Sequence, residues 1–315
     1  MKIDWHSHVS PPEINEENRT PQMEIGHSLE VHDAAGVDLV VVTNAMHYVK
    51  DLDADRTLDA VRRSDDFLAD IARTHPERTI CFTTTIPNDD DRYLSQLETA
   101  VKEMGLRGVF IHSSHQGHYP DEGRARPFWE LCRALDLPVF IHAPSSTFGE
   151  ECMSMYRLIS SLNRPFDECL AIARLIVSGM LERMPGLKIV GAHVGGGISS
   201  VIGRMDYAYE LGDYVHFLGP YEPVNITKKP SEYLKDIYMD TACYHFPALV
   251  AALMTVGPDR LLFGTDAPAL VPLLPGCVDL VNQLDIPEEQ RDRIFWGNAA
   301  QLLNLDLDSL PTARV

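Results

Sequence analysis

Eight short runs rich in Val, Ile and Phe recur along the chain, at 2–6, 37–43, 79–86, 108–112, 138–142, 188–192, 237–240 and 260–263, each bounded by turn residues. Between them lie longer segments, among them 58–74, 93–104, 126–135 and 166–184, with apolar residues three and four apart. A short apolar run between turn signals reads as a buried strand, and the 3.6-residue period reads as an amphipathic helix. The alternation predicts an α/β protein, a (β/α)8 TIM barrel, a fold that typically needs about 250 residues plus loop insertions. The chain has 315. An open doubly wound sheet is the competing layout, but it normally carries a glycine-rich phosphate turn after its first strand. Here that strand ends in His6-Ser7-His8, with no GxGxxG or Walker sequence behind it. No linker, composition shift or repeat divides the chain, so residues 1–315 read as a single domain. The least regular stretch, 144–165, reads as a loop or helical insertion after the fifth strand and a candidate lid.

Composition removes several function classes. Lys and Arg number 27 against 46 Asp and Glu, a formal net charge of −19. Nucleic-acid binding needs clustered cations to displace counterions from phosphates, so neither nucleic acid nor an anionic membrane is an expected partner. Cysteines 81, 132, 152, 169, 243 and 277 form no CxxC pair. With no secretory signal they read as reduced thiols of a cytoplasmic protein. Met1-Lys2-Ile3-Asp4-Trp5-His6 turns polar at once, and no run approaches the roughly 20 apolar residues of a bilayer span.

In a TIM barrel the chemistry gathers at the C-terminal ends of the strands. Five of the thirteen histidines fall there: His6 and His8 end the first run, His112 the fourth and His142 the fifth, and His193 follows the sixth. Asp266 follows the eighth. Side chains two apart on a strand point the same way, so His6 and His8 can converge on one ion. Imidazoles at His6, His8 and His142 with the Asp266 carboxylate suit Zn²⁺, and Mn²⁺, Fe²⁺ and Co²⁺ also fit. Any one of these histidines is explained equally well as a hydrogen-bonded core residue. Together, at successive strand ends, they point to a metal.

The same residues lie in longer motifs. Ile3-Asp4-Trp5-His6-Ser7-His8, Val139-Phe140-Ile141-His142, the stretch 178–197 ending in Gly191-Ala192-His193-Val194-Gly195-Gly196-Gly197, Phe263-Gly264-Thr265-Asp266-Ala267-Pro268 and Gly297-Asn298-Ala299-Ala300 together resemble the amidohydrolase superfamily, most closely its ACMSD-like (amidohydrolase 2) branch. The resemblance implies that His6, His8, His142 and Asp266 hold one metal, with His193 beside the metal-bound water as its base or as a fifth ligand; in a hydrolytic reaction at such a site Asp266 or His193 would shuttle the proton to the leaving group. Binuclear relatives carry a carbamylated lysine at the end of strand four, where this chain has Ile111-His112-Ser113-Ser114. One metal is expected. The resemblance further implies that Arg204 reaches a substrate carboxylate, in some members across a dimer interface, and hence a homodimer. The local alternative is a helix-surface arginine paired with Asp206 or Glu210.

Other polar residues are weaker candidates. His112, Tyr244 and His245 stand where they could contact substrate, while His115 and His118 read as rim or surface residues. Asp240 is expected to hydrogen-bond behind a metal ligand. Gly195 to Gly197 could be an anion nest, but a tight strand-to-helix turn explains them more simply. His27, His32, His47, His75 and His216 receive no role.

The branch contains non-oxidative decarboxylases of unsaturated and aromatic acids, together with hydrolases and hydratases. The expected activity is decarboxylation of a small anionic substrate of that kind. The alternative is hydrolysis of an amide or lactone by metal-bound hydroxide. A silent barrel serving as a partner module is the third reading, and the intact ligand set speaks against it. Two departures predict a substrate different from that of the branch's name-giving enzyme. The loop 9–22 is short, with Arg19 as its only basic residue, and the segment 110–118 carries three histidines without counterpart.

Overall fold

The computed structural model describes residues 1–12, 24–46, 49, 51–145, 147–211, 225–268 and 274–306. Every apolar run contains a strand: β1 (Ile3–His8), β2 (Leu39–Thr43), β3 (Thr79–Cys81) and β4 (Thr83–Thr84) from the third run, β5 (Val109–His112), β6 (Pro138–His142), β7 (Lys188–Gly191), β8 (Tyr238–Asp240) and β9 (Leu261–Leu262). Neighbours pair in parallel, β1 to β3 in one ladder and β4 to β9 in another. The chain itself joins the ladders at Phe82, whose N–H donates to the Val42 carbonyl at 3.1 Å. On the opposite side Trp5 N–H donates to the Phe263 carbonyl at 2.8 Å and His8 N–H to the Ala267 carbonyl at 2.7 Å. Pairing therefore runs all the way round, and the closed TIM barrel leaves no sheet edge.

The longest helix after each strand covers the barrel: α1 (Ile25–Ala34), α2 (Ala54–Thr74), α3 (Asp91–Lys102), α4 (Arg126–Ala134), α5 (Arg164–Val177), α6 (Ile202–Leu211), α7 (Phe246–Val256) and α8 (Leu274–Asn282). In α2, Asp53 caps the N-terminus by accepting from Arg56 N–H at 2.9 Å, and Leu58, Val61, Leu68 and Ile71 form the buried stripe. After β6, the segment read as an insertion holds a short helix, Glu150–Met153, and a wide turn, Ile159–Asn163, that runs into α5. It leaves Phe148, Met155, Tyr156 and Leu162 exposed. Among the described residues no helix is long and apolar enough to cross a membrane.

Strand alternation separates two cores. Val40, Val42, Val109, Ile111, Val139 and Ile141 face the helices, whereas Trp5, Val41, Phe82, Phe110 and Phe140 fill the barrel. His112 and His142 lie two residues beyond Phe110 and Phe140 and stand opposite each other in register, so they continue the inward face. In β1 the phase has to change, because Trp5 faces inward and strict alternation would turn His6 and His8 out. From Asp4 to Ser7 β1 advances three positions while β2 advances only from Val40 to Val42. That extra residue is a bulge, and it brings both histidines to the barrel mouth.

One buried acid makes stability depend on pH. Asp65 sits on the buried face of α2; Gln96 Nε2 donates to it at 2.7 Å, yet burial pushes its pKa up to about 7. In the unfolded chain an aspartate titrates near 3.9. Between these values the folded state holds a proton that the unfolded state has lost, so stability is expected to fall as pH rises from about 4 to about 7. Asp65→Asn removes the ionisable group. Its melting temperatures at about pH 5 and about pH 8 should differ less than those of the unchanged protein, and an equal or larger difference refutes the assignment.

Candidate metal centre

Four imidazoles and a carboxylate meet at the barrel mouth. His6, His142, His193 and Asp266 each offer a ligand atom within 4.8 Å of the others. His8 Nε2 completes the group, 3.1 Å from His6 Nε2 and 3.2 Å from Asp266 Oδ1. His193 Nε2 is 3.5 Å from Asp266 Oδ2. The five residues that the sequence singles out at strand ends as metal or proton-transfer groups thus converge on one point.

The hydrogen bonds around the rings reveal what that point accepts. His6 Nδ1 lies 2.7 Å from Asp240 Oδ2, His8 Nδ1 2.7 Å from Thr43 Oγ1, His142 Nδ1 2.8 Å from the Ala143 carbonyl, and His193 Nδ1 3.0 Å from both Glu168 oxygens. Carboxylates and carbonyls only accept, and the Thr43 hydroxyl already donates to the Ser7 carbonyl at 3.0 Å. The network therefore assigns the Nδ1 proton to every ring, and each neutral ring turns a bare Nε2 lone pair inward. Lone pairs 3.1 Å apart, with a carboxylate oxygen 3.2 Å from both, repel unless a cation lies among them.

The electrostatics carry the same message. Burial acts to lower the pKa of His6, but the charges of Asp240 and Asp266 outweigh it and raise it to about 9. Burial and then the positive charges of His8, His6 and His193 hold His142 well below its ordinary value. Burial opposes protonation of His193 too, yet Glu168 and Asp266 hold it well above. Asp266 stays well below the carboxylate range despite burial, chiefly because of His6. The centre calls for positive charge, but protons on neighbouring rings repel one another. The donors fit a single divalent cation bound through nitrogen and oxygen, with a position left for substrate.

Groups from distant parts of the chain hold the ligands. Besides His6, Asp240 takes the backbone N–H groups of His193 at 2.9 Å and Ala242 at 3.0 Å, the supporting place expected for it. Asp4 accepts the backbone N–H of His6 at 2.9 Å and of Thr265 at 3.1 Å, and His32 Nε2 stands 2.8 Å from its other oxygen. Gly264 allows the chain through, since a side-chain carbon there would lie 2.9 Å from Asp240 Cβ and 3.1 Å from His6 Cβ. Tyr244 donates its hydroxyl to the Thr265 carbonyl at 2.8 Å. That residue, a substrate-contact candidate in the sequence, braces the turn carrying Asp266.

Glu168 and His32 escape the sequence reading. Glu168 carries a readable signal: it precedes Ala171, Ile172 and Leu175 on the buried face of α5, where a carboxylate needs a partner. The Asp167 carboxylate beside it is also buried and receives the hydroxyls of Ser114 at 2.8 Å and Tyr119 at 2.5 Å. His32 shows no such signal, because its partner Asp4 is 28 residues away.

The remaining candidates lie around the rim. His112 donates from Nε2 to the Ala45 carbonyl at 2.6 Å, so that nitrogen is not turned to the centre. With His115, His118 and Arg124 it lines a cavity of about 100 Å³. His118 pairs with Glu122 at 2.8 Å on the surface. His245 is exposed, and so is Arg204 on α6. Neither acid proposed as a local partner of Arg204 is bonded to it: Asp206 accepts from Ser231 N–H at 2.8 Å, and Glu210 pairs with Lys229. Arg19, His47 and His216 lie outside the described residues.

The glycine run after His193 is a turn with a packing purpose. His193 to Gly197 all have positive φ, 52°, 51°, 66°, 63° and 80°. At Gly196 an added Cβ would lie 2.1 Å from the Pro165 carbonyl oxygen and 2.5 Å from Cys169 N, so glycine lets the turn sit against the start of α5, where His193 meets Glu168. Gly196→Ala is expected to cost about 2–5 kcal/mol through backbone strain and overpacking. Gly197→Ala, whose added carbon meets nothing within 4 Å, should cost about 1 kcal/mol. Equal losses in thermal unfolding would refute the packing account.

Known proteins share this fold and are similar in sequence over most of the chain. The Amidohydrolase family model (Amidohydro_2) matches residues 3–305. A 2-amino-3-carboxymuconate-6-semialdehyde decarboxylase of Dictyostelium discoideum is 29% identical over 251 residues, 79% of this chain and 67% of the relative. A gamma-resorcylate decarboxylase of Polaromonas sp. (strain JS666) is 28% identical over 288 residues, 87% of this chain and 85% of the relative. The crystal structure of a dihydroxybenzoic acid decarboxylase from Polaromonas sp. JS666, with bound manganese and the inhibitor 2-nitroresorcinol, superposes with a TM-score of 0.82 at 23% identity, covering 96% of this chain and 97% of that one. With the family model spanning nearly its whole length, this chain belongs to the amidohydrolase family.

Proposed function

We propose that the protein is a metal-dependent, non-oxidative decarboxylase of a small aromatic or unsaturated carboxylic acid. The observation that carries this reading is the set of bare Nε2 atoms turned onto Asp266, in a chain whose similar relatives are decarboxylases. His6, His8, His142 and Asp266 would hold one divalent ion, and His193 would stand beside it. The nitrogen-rich donors suit Zn²⁺; the manganese of the solved relative makes Mn²⁺ the other ion to load. Such an ion supplies a fixed positive charge that binds and polarises a substrate oxygen.

The protein's own groups account for the proton. Loss of CO₂ leaves the electron pair of the broken C–C bond on the substrate carbon, and that carbon must gain a proton. Glu168 accepts from His193 Nδ1 and so turns Nε2 to the centre, which makes Nε2 the nitrogen placed to take up a proton and deliver it. Asp266, 3.5 Å away, steadies the ring that has to give it up. The exposed Phe148, Met155 and Tyr156 of the segment after β6 would cover the mouth and exclude water. Amide or lactone hydrolysis would use the same residues, but the activities of the relatives favour decarboxylation. The substrate is a small anion, drawn to a locally positive site in a chain that repels nucleic acid. Arg204, exposed and unmatched by its acidic neighbours, supports a homodimer in which it reaches the partner subunit's pocket.

Three measurements test this reading. Purified protein should take up about one equivalent of Zn²⁺ or Mn²⁺, and Asp240→Asn should weaken that affinity by about 10- to 100-fold; unchanged affinity would break the link between Asp240 and the ion. The metal-loaded protein should release CO₂ from hydroxybenzoate- or muconate-semialdehyde-type acids, and His193→Ala should lower kcat by about 10²- to 10⁴-fold with metal content retained. Consumption of amides or lactones instead would replace the proposal with the hydrolytic one. A monomer in sedimentation that keeps full activity would remove Arg204 from the site.

A further inference from the structure

Arg164 opens α5, and Asp167 and Glu168 follow it at the three- and four-residue spacing that places side chains on one helix face. Both acids point at the barrel mouth, Asp167 to Ser114 and Glu168 to His193 and Ala143 N–H. Helical side chains lean toward the N-terminus, so Arg164 stands one turn further out on the same face, over the opening. His112, at the end of β5, feels its charge: burial above all, then His115, His8 and Arg164, keeps that ring neutral and brings its pKa down to about 4, against the Ala45 hydrogen bond.

Among the described residues the guanidinium has no partner. Asp167 is engaged by three hydroxyls and Glu168 by His193 and Ala143 N–H. Arg164 forms no ion pair among the described residues, and its Nε is buried with no hydrogen-bond acceptor. Arg164 is half-buried; an N–H buried without an acceptor is unfavourable, and the planar fork of the guanidinium matches a carboxylate in two parallel bonds. We propose that Arg164 is a substrate-recognition residue that receives a carboxylate of the acid lying over the centre, selecting acids over neutral rings of the same shape. The proposal rests on the decarboxylase reading only for the class of substrate.

The test compares 2,6-dihydroxybenzoate with resorcinol, the same ring without its carboxylate, by calorimetric binding to metal-loaded protein, alongside a panel of benzoates and muconates. Arg164→Gln should weaken the acids by about 10- to 100-fold and leave resorcinol unchanged, and Arg164→Lys, with charge but no fork, should fall between. Without ligand, Arg164→Gln should melt no lower than the unchanged protein. A lowered melting temperature, equal losses for acid and resorcinol, no loss, or no acid of the panel binding the unchanged protein would each overturn the proposal. Acid binding that depends on Arg164 without CO₂ release would sink the decarboxylase reading alone. CO₂ release with KM unchanged in Arg164→Gln would sink this one alone.

Discussion

Each ring in the centre donates its Nδ1–H to a fixed acceptor, and the orientation of the site follows from that. A histidine without such an acceptor can flip or change tautomer; one held at Nδ1 has a single way to face. The acceptors come from β8 (Asp240), β2 (Thr43), the residue after β6 (Ala143) and α5 (Glu168). Of these, Asp240 reaches His6 only when the last strands have paired with β1, so the orientation of that ligand depends on closure of the barrel.

That arrangement runs against stability. Four imidazoles whose lone pairs point at one another and at a carboxylate are unfavourable without a cation, and His193 and Val194 are held at φ 52° and 51°, left-handed values that side chains with a Cβ adopt reluctantly. The aromatic packing beneath offsets some of this. Trp5 meets Phe82 edge-on at 5.4 Å and Phe140 at 6.5 Å, forming a rigid floor under the polar mouth. The dry interior and the wet, charged rim are consecutive layers of the same strands, and the change from Phe110 to His112 and from Phe140 to His142 is where one becomes the other.

Much of this was legible in the residue order. The alternation of short apolar runs with amphipathic segments predicted an α/β protein, the lack of a glycine-rich turn after the first run favoured the barrel over an open sheet, and the histidines at the ends of those runs marked the mouth. Asp240 as a support behind a ligand could be anticipated because it ends a strand beside the ligand-bearing ones. Less legible were residues whose roles depend on what they face. Glu168 on the apolar side of a helix carries a signal without a visible partner, and nothing in the residue order marks Arg164. Tyr244 stood at a strand end where substrate contact was a fair expectation, yet its hydroxyl belongs to the Thr265 carbonyl.

Sequence alone therefore determined which residues reach the mouth, because strand periodicity and strand ends are local properties of the chain. Tertiary structure decided which way they turn and what they bind. In β1 one extra residue reverses the phase and brings His6 and His8 inward, and the partner that orients His6 is Asp240, 234 residues away. The physical reason is that a hydrogen bond is directional and requires its acceptor to be within about 3 Å. Such proximity between distant residues exists only after the last strand has paired with the first.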